Sequence, residues 1–380
     1  RALEGKLAGL PLTIAAPSLL FLNMSSDVLI IGAGINGLLS ALALARADIS
    51  VTVVDQGDFA RESTWAGAGI LSPLMPWDYG EEVNTLAERG RALWPGLAMA
   101  LQDSTGRDPE YWACGMLAAG DFDLEAAMAW CDAHGWTCST SLPETEAAPD
   151  TMASRLWLPE VAQARNPRIA KALVAACQKA GVRLLSQTEV LGFDFQAGRV
   201  ASVSTLAGQM HADAYVVCAG AWSRTLLGNA ALGVEIVPVR GQILLFKSAP
   251  GTLRHILYRQ GQYLVPRLDG HILAGSTLEY AGFDKTATHE ARDSLLKFAL
   301  DSLPALAQAE LVQQWVGLRP GSPGNIPTIS RHPEMDNLFL NSGHFRYGVT
   351  MAPASAELLS QLVLGHPATL NAQPYGWRHH

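Results

Sequence analysis

The chain has 380 residues, 27 Lys and Arg against 35 Asp and Glu, and 49% apolar side chains, which gives a net charge of −8 and ample material for a buried core. This composition excludes a disordered chain and, at ~150 residues per domain, suggests two or three lobes. An acidic balance with no run of Lys or Arg speaks against a nucleic-acid partner. The scattered cysteines Cys114, Cys131, Cys138, Cys177 and Cys218 include no C-x-x-C pair, so no metal site or disulfide framework is signalled and a reduced, cytoplasmic setting fits.

Residues 1–23 read as a leader or added segment ahead of Met24. The apolar stretch from Leu7 to Leu22 contains Pro11 and Pro17 and falls short of the ~20 residues that span a bilayer. Arg1 and Lys6 resemble a signal-peptide start, but no small-x-small cleavage site follows. A membrane tether is the alternative reading of this stretch.

Asp27 to Ile31 is an apolar run suited to a buried parallel strand, and Gly32-Ala33-Gly34-Ile35-Asn36-Gly37 follows at once. A helix is expected over Leu38–Arg46 and a second strand over Val51–Val54, ending at Asp55. Gly32 would allow the tight turn, Gly34 a close approach of backbone to a pyrophosphate, and Gly37 close helix–strand packing, while Asp55 would accept from ribose hydroxyls. A glycine-rich turn alone is a weak signal; the strand, helix and acid in register make a dinucleotide site.

Residues 107–150 read as an insertion of mixed short elements, and Pro167 to Ala180 as an amphipathic helix. A strand over 214–217 runs into Cys218-Ala219-Gly220-Ala221-Trp222. Residues 226–280 look strand-rich and antiparallel, with strands over 234–237, 241–246, 262–266 and 271–275. Asn337 to Gly343 is a last strand, followed by a loop over 344–350 and an apolar helix from about Ala352 to Leu364, with Pro353 in its first turn. These elements predict an α/β protein, with a Rossmann-like dinucleotide domain formed by 24–105, 166–225 and 315–370. A mainly antiparallel-sheet domain, formed by 106–165 and 226–314, would take the substrate.

Several further segments carry a resemblance: Ser63-Thr64-Trp65-Ala66-Gly67-Ala68-Gly69-Ile70-Leu71, Pro238-Val239-Arg240-Gly241-Gln242, Tyr263-Leu264-Val265-Pro266-Arg267, Gly317-Leu318-Arg319-Pro320-Gly321 and Gly343-His344-Phe345-Arg346. With the dinucleotide unit they make residues 24–370 similar to the glycine oxidases of the FAD-dependent D-amino-acid-oxidase superfamily, often attached to thiazole synthesis for thiamine. The resemblance implies that Gly32, Gly34, Ile35, Asn36, Gly37, Asp55 and Gln56 hold the pyrophosphate and adenosine of FAD. Ser63, Thr64, Ala68, Gly69 and Ile70 would line the flavin, Val190 would meet adenine, and Gly220 would lie near the cofactor. The backbone of His344, Phe345, Arg346, Tyr347, Gly348, Val349 and Thr350 would wrap the pyrimidine edge. Arg319 would bind the substrate carboxylate, Tyr263 would add a hydroxyl hydrogen bond, and Arg346 would border the pocket. No Cys lies near Gly317–Gly321, where monomeric sarcosine oxidases attach their flavin, so FAD is expected to be non-covalent. Some glycine oxidases carry Met where this chain has Ile70 and Leu278, and His where it has Gly261.

The implied reaction is oxidative deamination of a small amino acid by oxygen, in a homo-oligomer that the resemblance makes a tetramer. The residue types suit it: a planar guanidinium matches a carboxylate with two parallel bonds, and backbone donors stabilise charge gained by a reduced flavin. On the residues alone, Arg319 could fix its own loop, Tyr263 could be core, Arg346 could serve an interface and His344 could be structural. Trp222 and Trp315 read as packing. Alternatives of the same superfamily are a D-amino-acid dehydrogenase passing electrons to a membrane quinone and a sarcosine or N-methyl amino acid oxidase; a non-catalytic nucleotide-binding module is a third.

Overall fold

A computed structural model describes residues 26–141 and 154–377, so the expected leader lies outside the described residues. Strand β1 (Ser26–Ile31), helix α1 (Ile35–Ala45) and strand β2 (Val51–Val54) form the expected βαβ start. The short α2 (Ser63–Ala66) precedes the long α3 (Glu81–Thr105), whose end is capped by Gly106 in the left-handed region, at φ 69°. Strand β3 (Met116–Gly120), helix α4 (Leu124–Ala133) and strand β4 (Ser154–Leu158) make up the insertion. Helix α5 (Asn166–Lys179) leads to β5 (Arg183–Leu185), the hairpin strands β6 (Val190–Gln196), β7 (Arg199–Thr205) and β8 (Gly208–Met210), and β9 (Ala212–Val217). After α6 (Ser223–Leu227) come β10 (Val237–Lys247), β11 (Ile256–Arg259), β12 (Gln262–Pro266), β13 (His271–Gly275) and α7 (His289–Ser302). The chain closes with β14 (Glu310–Gly321), β15 (Thr328–Arg331), β16 (Leu338–Ser342) and α8 (Gly348–Leu364).

Two large sheets result. The first has the order β15-β16-β9-β1-β2-β5, parallel except for the β15–β16 edge. Its central strands are apolar on both faces because α1, α5 and α8 cover one face, with α3 packed outside them on α8 and α5, and the β6–β8 hairpin and α6 lie over the other. Chain order reverses at β1, with β2 on one side and β9 on the other, so ligand space opens at the carboxyl ends of these strands. The second sheet runs β14-β10-β13-β12-β11-β3-β4, with α7 packed on one face, its Leu295 and Phe298 in one cluster with Leu244 and Leu264 of the sheet. Its pairings are antiparallel except for β11 with β3, where the insertion feeds a strand in from a distant part of the chain.

The fold class is therefore the expected one, with three local differences. The strand expected over 234–237 begins only at Val237. The expected domain boundary at residue 315 falls inside β14, which pairs with β10 from Gly321 back to Glu310, so the strand belongs to the second sheet throughout. Helix α8 starts at Gly348 and not near Ala352, which puts Pro353 inside the helix. An interior proline leaves the carbonyl one turn earlier, that of Val349, without its helical donor. Trp94 on α3 supplies the replacement through its indole N–H at 2.9 Å, so packing between the two helices tolerates the proline. No helix among the described residues is long and apolar enough to cross a membrane.

Candidate functional site

A cavity of about 420 Å³ opens at the carboxyl ends of β1, β2 and β9 and continues to the face of β12 and β14. At its inner end, Gly32 has φ +107°, and a Cβ there would meet the Cys218 carbonyl at 2.4 Å. A Cβ on Gly37 would fall 1.9 Å from the Gly32 carbonyl, so this glycine serves the packing of α1 on β1 and does not itself line the cavity. The N-terminus of α1 opens on the cavity and presents partial positive charge there. Asp55 accepts from the amides of Ala33 at 2.7 Å and Gly57 at 2.8 Å; burial nonetheless raises its carboxyl above the usual value, the two hydrogen bonds opposing it.

Two buried amide oxygens, Asn36 Oδ1 and Asn341 Oδ1, have no hydrogen-bond partner among the described residues, and both residues line the cavity. A buried acceptor without a donor costs ~1–3 kcal/mol, so a ligand carrying hydroxyl or N–H groups fits this end. Asn36 Nδ2 also lies 3.2 Å from Nδ1 of His344, whose Nε2 is 2.8 Å from Ser355 Oγ on α8. A donating Asn36 amide makes Nδ1 an acceptor and puts the ring proton on Nε2. Burial pushes His344 down to about 3, so the ring is a neutral bridge between α1 and α8.

The loop before α8 is tied to the second sheet: Phe345, in the left-handed region at φ 42°, donates its N–H to the Pro320 carbonyl at 3.0 Å. This places Arg346 and Arg319 in one cavity. Arg319 donates to Ser276 Oγ at 2.7 Å and to the Thr277 carbonyl at 3.2 Å, with the Tyr263 hydroxyl beside it. Room for its guanidinium exists because residue 241 on β10 is glycine; a Cβ there would lie 2.1 Å from Nη1. The opposite glycine in register, Gly317, makes room for Ala66 in the same way, at 2.4 Å from its Cβ. Glu279, the carboxylate behind Thr277, is occupied by Arg240 at 2.6 Å. Among the described residues neither Arg319 nor Arg346 forms an ion pair. Burial lowers the Arg319 guanidinium, and Arg346 lowers it further. Burial also works against the charge of Arg346, but the hydroxyls of Tyr347, Tyr79, Tyr258 and Tyr263 around it raise it above its ordinary value.

Of the residues nominated from sequence, Gly32, Gly34, Ile35, Asn36, Asp55, Gln56, Ser63, Thr64, Ala68, Gly69, Ile70, Val190, Gly220, Tyr263, Arg319, His344, Phe345, Arg346, Tyr347, Gly348 and Val349 line this one cavity. Thr350 does not. Its hydroxyl donates to the Ile70 carbonyl at 3.1 Å and its own carbonyl packs on Gly90, because residues 348–350 are the first turn of α8 and not loop. Sequence reasoning passed over Asn341, Gly241 and Gly317 as individual residues; that the two glycines face each other emerges only from the pairing of β10 with β14. Trp315 is more than packing, since its indole N–H holds the Ala66 carbonyl at 3.0 Å.

Residues 27–362 match the family described as FAD dependent oxidoreductase. The chain is 42% identical over 358 residues to glycine oxidase of Pseudomonas aeruginosa, covering 93% of this chain and 98% of that protein. It is 31% identical to the bifunctional protein ThiO/ThiG of Trichormus variabilis, over 90% of this chain and 53% of that longer one. The crystal structure of glycine oxidase from Geobacillus kaustophilus superimposes with a TM-score of 0.88 at 26% identity, covering 94% and 99% of the two chains.

Proposed function

The chain belongs to the FAD-dependent oxidoreductase family, and from that premise we propose that it oxidises glycine and other small primary or secondary amino acids at a non-covalently held FAD. Oxygen takes the electrons and is released as hydrogen peroxide, while the imine hydrolyses to a 2-oxo acid and ammonia or amine. The observation that carries the reading is Arg319, a half-buried guanidinium that faces the cavity without an ion-pair partner among the described residues, in the same cavity as the dinucleotide turn. Such a cation needs an anion to offset its desolvation, and a substrate carboxylate fits its fork.

The residues divide the work. The N-terminus of α1 would face the pyrophosphate, Asp55 would accept from ribose, Val190 would contribute backbone near adenine, and the open acceptors of Asn36 and Asn341 would take donors from the sugar-like chain. FAD, when bound, supplies a two-electron acceptor for the hydride of the substrate α-carbon. Arg319 and Tyr263 fix the carboxylate and so orient that carbon; Arg346 adds positive potential at the pocket wall. The main chain over 344–347 and the first turn of α8 would oppose negative charge at the pyrimidine edge of a bound flavin. His344, neutral, bridges Asn36 on α1 and Ser355 on α8 and so fixes the loop between β16 and α8. The similarity to ThiO-type proteins supports a role in supplying the imine for thiazole formation in thiamine synthesis, in a cytoplasmic homo-oligomer, a tetramer by resemblance.

Aerobic peroxide release and anaerobic bleaching of the yellow band, measured with glycine, sarcosine, D-alanine and D-proline, test the reading. Bleaching with peroxide release is expected. Bleaching without peroxide, restored to turnover by a quinone, would make it a dehydrogenase, and no bleaching by any of the four would refute it. Sedimentation velocity and cell fractionation test the assembly and its compartment.

A further inference from the structure

Behind the cavity, β12 leads into Arg267, which is only 5% exposed. Its guanidinium donates to the Ala68 carbonyl at 2.7 Å and to Gln163 Oε1. The nearby carboxylates are taken by others: Glu110 by Arg165 at 3.2 Å and Arg168 at 3.0 Å, and Asp269 by Arg165 at 2.8 Å. The direct partners of Arg267 are thus neutral oxygens. Burial pushes this guanidinium down to about 10, which leaves it protonated at neutral pH.

The segment it touches is one-sided. The Ala66 carbonyl is held by Trp315, that of Ala68 by Arg267, that of Gly69 by the Ala164 amide at 2.9 Å and that of Ile70 by Thr350. Every one of these carbonyls therefore has a donor elsewhere in the fold. The amides of Ala68, Gly69 and Ile70 donate to no group among the described residues, and all three residues line the cavity. Gly69 is locked there, since its φ is +75° and a Cβ would meet the Ala164 carbonyl at 1.9 Å. The result is a strip of backbone donors with a buried cation directly behind it.

We propose that Arg267 is a positioning residue that turns the Ala68–Ile70 amides toward the flavin ring and uses its buried charge to stabilise the reduced, anionic flavin. The proposal rests on the FAD reading above. A buried unit charge acts through low-dielectric surroundings, so its effect reaches past the single peptide it touches.

The test uses the full-length holoprotein and its Arg267→Gln and Arg267→Lys variants. Flavin content, melting temperature, the flavin midpoint potential and the affinity for sulfite, which adds to the flavin ring and leaves it negative, are measured on each. Arg267→Gln is expected to lower the midpoint potential and weaken sulfite binding by about tenfold or more. Arg267→Lys keeps the charge and should return sulfite affinity to within about threefold of the original protein. Unchanged potential and sulfite affinity in Arg267→Gln, equal losses in both variants, or shedding of FAD by both would overturn the proposal. If Arg267→Gln alone sheds FAD, Arg267→Lys decides, and a lowered potential there refutes the charge effect. An unmodified protein purified without flavin would instead overturn the cofactor reading.

Discussion

Gly241→Ala places the carboxylate clamp under its most direct strain, because the added methyl occupies the space of the Arg319 guanidinium. The new Cβ would lie 2.1 Å from Nη1 and 2.4 Å from both Cζ and Nη2, all three on one side chain. Ordinary contacts between heavy atoms are ~3.5–4.0 Å, so the guanidinium has to retreat by more than about 1 Å. The bond to Ser276 Oγ at 2.7 Å cannot survive that movement. A misplacement of about 1 Å in a positioning group costs roughly 100-fold, or about 2.7 kcal/mol, and this loss is expected in kcat/KM for glycine. Because a methyl on a strand leaves the dinucleotide turn untouched, flavin content should hold. The comparison is a cycle with Arg319→Leu, which by itself should lower kcat/KM by roughly 30-fold to several thousand-fold, as loss of one partner from a buried charge pair does. In the Arg319→Leu background the alanine should add almost nothing, since the group it displaces is gone. Steady-state glycine kinetics on the four proteins, with flavin content and melting temperature from the same preparations, check this. Original-like efficiency in Gly241→Ala, or the same 100-fold loss on the Arg319→Leu background, would refute the clamp.

Tyr263→Phe should weaken glycine binding by roughly 1–3 kcal/mol while leaving FAD affinity nearly unchanged, and an unaltered glycine saturation curve would return the tyrosine to a packing role. Trp94→Phe strands the Val349 carbonyl that Pro353 has already left without a helical donor; thermal unfolding should show a loss of about 1–3 kcal/mol, and an unshifted melt would contradict the bridge. Acid stability tests His344, whose folded value of about 3 lies below its ordinary 6.5. The unfolded chain takes up a proton below ~6.5 that the folded chain refuses, so the contribution is whole above that pH and shrinks as pH falls toward 3, by about 2 kcal/mol at pH 5. His344→Gln should lose less stability between pH 7 and pH 5 than the original protein, and parallel melting curves would count against a neutral buried ring. Acid precipitation should release FAD into the supernatant, whereas flavin retained in the pellet would point to a covalent link.

The dinucleotide turn was legible in sequence because its requirements are local. Gly32 and Gly37 stand a few residues apart on one strand–helix corner, and a Cβ on Gly37 would strike Gly32 itself. The buried parallel strands were equally plain, since continuous apolar runs such as Val28 to Ile31 suit little else. Arg319 and Tyr263 were reached through a resemblance, as nothing in the residues near Arg319 distinguishes a substrate clamp from a loop ion pair. Tertiary structure decided that Arg319 has Ser276, Thr277 and Gly241 for neighbours, residues brought to it by β-pairing across long stretches of chain. It also decided where α8 begins: a proline predicts a first turn when only its own helix is considered, and the donor that relieves it, Trp94, lies on another helix. The same holds for Thr350, turned away from the cavity by that earlier helix start, and for Arg267, whose neutral partners become visible only once the surrounding carboxylates are seen to be occupied. Sequence fixes what the backbone does over a few residues, because those contacts are set by chain connectivity; which distant side chains share a charge or a space is set only when the sheets assemble.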